Sequence, residues 1–400
     1  MASFQQAWQK ALEERTQAGL IRQHQILESA QGVEINVDGK AYLGFCSNDY
    51  LGLANHPDVK SAAIESIQKN GVGSGASHLV IGHHQEHALL EKDLAEFTGR
   101  DKAIIFSSGY MANMALVSSL VSRSDLVLQD KLNHASLIDG GLMSGARFQR
   151  YLHNDMTSLE AYLDKYLTTK KVNRALIVAD GVFSMDGDVA NLAEMAKLAA
   201  KFDALLMVDD AHGLGVLGPE GRGTIASLGL SQEDVPVLMG TFGKAFGTSG
   251  AFVAGSSELI DFLSQVARPY IYTTAMPPAV AAATRKSLQL IQKADGERAH
   301  LKALIAYFRS QISALGFNLM PSETPIQPIL IGSSLQTMEL ANYLRKAGIL
   351  VGAIRPPTVP EKTARLRVTL SAKHDLAHLD RLISVLKQAI QVGVVSVEQS

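Results

Sequence analysis

One cysteine, Cys46, stands among 400 residues, so no intrachain disulfide can form and nothing in cysteine usage points to an oxidising compartment. Net charge is nearly absent as well. The 37 basic and 39 acidic residues leave −2, too little field to hold a phosphate backbone or an anionic membrane surface, and neither nucleic acid nor membrane is an expected partner. No uninterrupted apolar run reaches the roughly eighteen residues a membrane span needs. The opening segment MASFQQAWQKALEERTQ mixes charges into an amphipathic pattern and lacks the apolar stretch of a signal peptide, so the expected location is the cytoplasm. Internal repeats, low-complexity tracts and like-charge blocks are missing too.

What is present is an ordinary globular composition, 46 % hydrophobic and 19 % charged, in a chain long enough for two to three domains at roughly 150 residues each. Residues 1–56 read as an N-terminal arm: a helical amphipathic stretch, then short strands turning at Asp38-Gly39. Residues 57–290 read as a large α/β domain. Its dense apolar runs at 103–108, 126–130, 175–180, 204–210, 237–242 and 251–255 are separated by helix-length segments, as a mostly parallel sheet covered by helices requires. Residues 291–400 read as a smaller α+β domain. It is reached through a long helical pattern near 280–315 and ends in a helix whose Leu379, Leu382, Ile383, Leu386 and Ile390 share one face.

Ligands of parallel α/β sheets gather at the carboxyl ends of the strands, and four of these ends carry chemistry. Ser107-Ser108-Gly109-Tyr110 opens a helix whose free N–H groups and dipole suit a phosphate. Gly181-Val182-Phe183-Ser184-Met185-Asp186-Gly187 follows a second run, Asp209-Asp210-Ala211-His212-Gly213 a third, and Thr241-Phe242-Gly243-Lys244 a fourth. A lysine to form a Schiff base and a carboxylate to pair with a pyridinium nitrogen are the groups that pyridoxal phosphate needs. Taken singly, Asp209 reads as a capping acid, Lys244 as a surface lysine and His212 as a structural histidine; together they favour the cofactor.

These segments, with Ser47-Asn48-Asp49-Tyr50-Leu51-Gly52-Leu53, Gly73-Ser74-Gly75-Ala76-Ser77 and Asn133-His134-Ala135-Ser136, resemble the α-oxoamine synthases from about residue 22 to about residue 390. These are pyridoxal-phosphate enzymes of the aspartate-aminotransferase-like fold (fold type I) that join an amino acid to an acyl thioester with loss of carbon dioxide. The resemblance implies that Lys244 carries the cofactor and serves as base for the α-proton, that Asp209 binds the ring nitrogen, and that His212 sits near the phenolic oxygen. It implies further that His134 stacks on the ring, Ser184 and Thr241 bond the cofactor through their hydroxyls, and Gly109 and Tyr110 offer backbone to the phosphate. Thr273 and Thr274 match residues that reach a phosphate across a dimer interface, implying a homodimer with shared active sites. Arg355 matches the residue that grips the amino-acid carboxylate, and Arg22, Asn48 and Thr358 match substrate-side positions. Two departures stand out: Asp180 where relatives often carry Glu, and Tyr110 in place of Phe.

Within the family, Ala353-Ile354-Arg355-Pro356-Pro357-Thr358-Val359-Pro360 and Thr363-Ala364-Arg365-Leu366-Arg367 resemble the branch that supplies biotin. Its substrates are L-alanine and a pimeloyl group carried on coenzyme A or on a carrier protein. The alternative within the family is the branch that joins glycine to an acetyl thioester. From another class, a nicotinamide dehydrogenase is suggested by Gly213-Leu214-Gly215-Val216-Leu217-Gly218, but the Pro219-Glu220-Gly221 that follows cannot continue the helix that fingerprint requires. His83, His87 and Glu91 fall at i, i+4 and i+8, yet without a clear further ligand they read as polar surface or hinge residues, and no metal is expected.

Overall fold

The computed structural model describes residues 2–17, 20–21 and 23–397. Its central sheet has seven strands in the spatial order Lys102–Phe106, Ala251–Gly255, Val237–Thr241, Leu205–Asp209, Ala175–Asp180, Leu126–Asp130 and Arg147–Tyr151. Every neighbouring pair is parallel except those made by Ala251–Gly255, which is antiparallel to both flanking strands. Side chains alternate along each strand. Leu176 and Val178 therefore join one buried cluster while Ile177 and Ala179 join the cluster on the opposite face. A sheet covered on both faces accounts for the continuous apolar runs.

Six of the seven strands coincide with those runs. The seventh, Arg147–Tyr151, is an edge strand whose residues are mostly half-buried or exposed, and its sequence RFQRY carries no apolar signal. The helical pattern near 280–315 is two helices, Pro278–Gln292 and Asp295–Ala314. The glycine-rich segment after Asp210 is a loop, as its proline suggested. A Cβ at Gly213 would lie 2.1 Å from Asp210 Oδ1 and one at Gly223 2.0 Å from Asp210 Oδ2, so the buried carboxyl of Asp210 itself demands glycine there.

A second, six-stranded sheet runs Glu34–Val37, Lys40–Phe45, Ile349–Ile354, Ala364–Thr369, Ile326–Gly332 and Asn318–Leu319. The hairpin at Asp38-Gly39 forms, but it is not a free-standing arm. Lys40–Phe45 pairs in parallel with Ile349–Ile354, and Phe45, Tyr50 and Leu51 are buried in the main core cluster. Apolar residues on that hairpin have no hydrophobic face of their own to pack on, and the C-terminal sheet supplies one. The consequence for function is positional: Asn48 and Tyr50 are delivered to the carboxyl ends of the central strands. Among the described residues, no helix is long and apolar enough to cross a membrane.

Candidate active site

Asp180 and Asp209 are register partners at the ends of adjacent parallel strands, so the sheet places two carboxyls side by side. Their environments separate them. Asp209 is held by donors: Asn113 Nδ2 donates to its Oδ2 at 2.8 Å and the Ala211 N–H to its Oδ1 at 3.0 Å. Asp180 is fully enclosed; burial, followed by the neighbouring Asp209, raises its pKa well above the ordinary aspartate value and favours its neutral form. Its Oδ2 accepts the His134 N–H at 2.7 Å, which fixes the turn that carries His134. The acid that departs from the family pattern thus acts on the backbone of a site residue.

A hydrogen-bonded relay links the two predicted ring contacts. Asn113 Nδ2 also donates to Ser136 Oγ at 2.9 Å, leaving the Ser136 hydroxyl to donate to His134 Nδ1 at 2.8 Å. His134 therefore carries its proton on Nε2, and burial lowers its pKa, with Asp209 opposing. On the other side, Tyr50 Oη and His212 Nδ1 are 2.6 Å apart. Burial lowers the His212 pKa well below the usual histidine range and pushes the Tyr50 phenol up to about 12, so both groups are neutral and one hydrogen bridges them, while the phenol O–H also reaches Asn48 Oδ1 at 3.3 Å. Asn48 lies beside them, its Oδ1 accepting from Arg367 Nη2 at 3.2 Å. Arg367 also donates through Nε to the Ser184 carbonyl at 2.7 Å, tying the Ser184 turn to the N-terminal segment.

Lys244 follows the strand Val237–Thr241 in a loop closed by the Gly247 N–H donating to the Lys244 carbonyl at 2.8 Å. Burial pushes its amine below the ordinary lysine range, while Asp209 and Asp180 pull the other way. At the phosphate end, the helix Gly109–Leu120 is capped by Ser108, whose Oγ accepts the Met111 N–H at 3.3 Å, and its first N–H groups point outward. Two observations fit this place to pyridoxal phosphate. Thr241 Oγ1 is buried without a hydrogen-bond partner, and a Cβ at Gly109 would lie 2.6 Å from Thr241 Cγ2, so only glycine lets the helix approach so closely. The Tyr110 hydroxyl, which Phe would lack, donates to Asp139.

The remaining predicted residues are placed as follows. Ser184, Thr358 and His134 line a cavity of about 820 Å³ that reaches Arg150, Arg365 and Met320. Arg355 directly follows the strand Ile349–Ile354, and its carbonyl accepts the Thr358 N–H at 3.0 Å. Thr274 accepts from Ser107 Oγ at 3.4 Å through its carbonyl and pairs with Ser77, and Thr273 precedes it in the same loop. Arg22 lies outside the described residues. Sequence reasoning gave no role to Asn113 or Tyr50. Tyr50 stood within the segment Ser47–Leu53 and Asn113 three residues beyond Tyr110, but their partners are 162 and 96 residues away.

The histidine pattern needs revision. His83 precedes the helix Gln85–Thr98 and shares no helix face with His87; the third ring beside them is His78.

The model of the family "aminotransferase class I and II" matches residues 40–386. An 8-amino-7-oxononanoate synthase of Pseudomonas aeruginosa strain LESB58 is 59 % identical over 94 % of this chain and 93 % of its own. One from Pseudomonas putida strain GB-1 is 57 % identical over 94 % of this chain and 95 % of its own. Among solved structures, serine palmitoyltransferase from S. paucimobilis with PLP and myriocin bound superposes with a TM-score of 0.92 at 30 % identity, covering 99 % of this chain and 100 % of that one. The 8-amino-7-oxononanoate synthase of Francisella tularensis gives a TM-score of 0.77 at 31 % identity, covering 88 % and 99 %.

Proposed function

The chain belongs to the aminotransferase class I and II family, and from that premise we propose that it condenses L-alanine with a pimeloyl thioester to give 8-amino-7-oxononanoate, carbon dioxide and the free thiol, a step of biotin synthesis. The observation that carries this reading is the 59 % identity, over nearly the whole of both chains, to a relative named for that product. The cofactor is pyridoxal phosphate, which supplies, when bound, an electron sink for charge developing at the amino-acid Cα.

The residues divide the work by chemistry. The helix terminus at Gly109 and Tyr110, with Ser107 and Thr241, would hold the phosphate; Asp209, fixed by Asn113, would face the ring nitrogen; and His134 would cover the ring. His212, neutral and oriented by Tyr50, would face the phenolic oxygen through Nε2, with Ser184 beside it. Lys244 Nζ takes the proton from Cα. Burial lowers the pKa of that amine, which increases its deprotonated fraction near neutral pH. Arg355 offers the planar fork that matches a carboxylate in two hydrogen bonds, and that grip decides whether the Cα–H bond or the carboxylate bond stands ready to break. A carbon–carbon bond then forms between Cα and the acyl carbon, the carbon–sulfur bond breaks, and the thiol leaves. The resulting β-keto acid loses carbon dioxide as its electron pair passes into the adjacent ketone. Asn48, Thr358 and Arg22 are the substrate-side residues of this reading.

The chain works as a homodimer with shared sites in the cytoplasm, with Thr273 and Thr274 reaching the partner's phosphate. Supporting the dimer, Leu79, Val80, Ile81 and Tyr272, near those threonines, are 51 %, 72 %, 84 % and 71 % exposed, more apolar surface than a monomer ordinarily leaves in one place. The deciding experiment measures thiol and carbon-dioxide release with alanine, glycine and serine crossed against pimeloyl, acetyl and succinyl thioesters of coenzyme A. Alanine with pimeloyl is expected to be the preferred pair. Preference for glycine with acetyl would move the chain to the other branch, and a fully active monomer would refute the shared site.

A further inference from the structure

We propose that His78, His83 and His87 form a binding site for one divalent cation of the zinc class, outside the catalytic centre. One ligand atom from each ring lies within 4.8 Å of the others. The ring centroids are 5.2 Å apart for His78 and His83, 5.2 Å for His78 and His87, and 5.7 Å for His83 and His87. Three imidazoles on one tetrahedral ion, with metal–nitrogen bonds of about 2.0–2.1 Å, stand with their centres roughly 5 Å apart. Interplanar angles of 55°, 62° and 51° show rings splayed around a common centre rather than stacked on one another.

The outer nitrogen of His87 is hydrogen-bonded in the way that turns its inner one toward an ion, and that of His83 faces a carboxyl. His87 Nε2 donates to the Met276 carbonyl at 2.8 Å, and His83 Nε2 faces Glu91 Oε2 at 3.7 Å. A carbonyl or carboxylate on the far nitrogen is the usual support of a metal-bound histidine, because it fixes the tautomer and the ring plane. The inner atoms follow: His78 Nδ1 and His83 Nδ1 are 2.9 Å apart. His87 Nδ1 accepts the His84 N–H at 2.9 Å, a bond that an ion would displace. His78 is immobilised by stacking on Tyr270 at 4.9 Å and 11°. Three neutral imidazole nitrogens select zinc, cobalt or nickel over magnesium or calcium, and water completes the tetrahedron.

The site joins three pieces of chain. His78 lies in the turn His78–Gly82 that follows the glycine-rich segment, His83 follows that turn, and His87 lies in the helix Gln85–Thr98. The same Met276 carbonyl accepts Ser74 Oγ at 2.6 Å, and Ser77 pairs with Thr274. A bound ion would therefore clamp the loop that carries Thr273 and Thr274.

The test uses the holoenzyme dialysed against a chelator and titrated with Zn²⁺ by calorimetry, and with Co²⁺ by visible absorption. One equivalent per chain is expected, with the intense Co²⁺ band of a tetrahedral site. His83→Gln and His78→Gln should weaken binding by tenfold or more, and Glu91→Gln by roughly tenfold. Wild-type protein that takes up no ion, or binding equally tight in His83→Gln, overturns the proposal. His83 is exposed, so its substitution decides the matter even if His78→Gln fails to fold.

Discussion

His153 gives a prediction whose sign and size both follow from geometry. Its Nδ1 lies 3.0 Å from Asp130 Oδ1 and its Nε2 2.9 Å from Asp188 Oδ2, so both ring nitrogens donate to carboxylates and the imidazolium is the favoured form. Burial works against the charge, but the two hydrogen bonds outweigh it and raise the pKa from 6.5 to about 9. The unfolded histidine releases its proton near 6.5 and the folded one near 9, so the folded chain binds more protons in that interval. The contribution to stability is thus complete below pH 6.5 and is lost as pH rises through 9. At ~1.36 kcal/mol for each pH unit the interval corresponds to about 3 kcal/mol. The ring is 29 % exposed, and solvent screening reduces this to about 2 kcal/mol. The assay is equilibrium urea unfolding of wild type and His153→Gln, each at pH values below 6.5 and above 9, followed by circular dichroism. Tryptophan fluorescence would not serve, because Trp8 is 63 % exposed on the N-terminal helix Ala2–Gln17. The wild type should exceed the variant by about 2 kcal/mol in acid, with most of that margin gone in alkali. An equal margin at both ends would show that His153 is not charged in the fold and would refute the argument.

Three other predictions test the centre itself. Lys244→Ala should keep its fold and lose turnover, and borohydride trapping followed by peptide mapping should then find no labelled side chain; unchanged turnover would exclude Lys244 as the base. Gly109→Ala brings a Cβ to 2.6 Å from Thr241 Cγ2, and equilibrium dialysis should show pyridoxal phosphate bound at least ~10-fold more weakly, about 1.4 kcal/mol, with the circular dichroism unaltered. Burial favours the neutral form of Asp180, which serves as an acceptor for the His134 N–H, so Asp180→Asn should be stable to within ~0.5 kcal/mol, while Asp180→Ala leaves that N–H unpaired at a cost of about 1–3 kcal/mol in urea unfolding. Equal losses in the two variants would show that the charge of Asp180, and not its acceptor oxygen, is what matters.

The parts of this molecule that could be read from the chain are those whose cause is local. A strand buried on both faces must be apolar throughout, so Ala175–Asp180 announces itself, and a polar residue at its end has no packing reason to be there. Asp209, Lys244 and His212 were legible for that reason: the sheet breaks off beneath them. Arg147–Tyr151 was not, because an edge strand with one solvated side carries only half a pattern. The same limit hid the fate of the N-terminal hairpin. Its turn is encoded at Asp38-Gly39, but the partner strand Ile349–Ile354 lies some 300 residues later, and nothing in either segment names the other.

Orientation was hidden more deeply than position. His212 is visible in the motif, yet whether it offers a proton or a lone pair depends on Tyr50, and Asp209 depends in the same way on Asn113. A short polar side chain at a helix start reads as a cap or a solvated group until the tertiary fold brings a carboxylate within 2.8 Å of it. Here one amide serves two ends of the site, because Asn113 Nδ2 donates both to Asp209 and, through Ser136, to the chain that sets the tautomer of His134. In the proposed site a single side chain would govern both the ring-nitrogen contact and the ring-face contact, so disturbing either should disturb the other. Asn113→Ala should therefore act on Asp209 and His134 together, and a double-mutant cycle with Ser136→Ala, read out as pyridoxal-phosphate affinity, should show coupling of about 0.5–3 kcal/mol. Additive effects would mean that the two contacts are independent and that the relay is only a geometric coincidence.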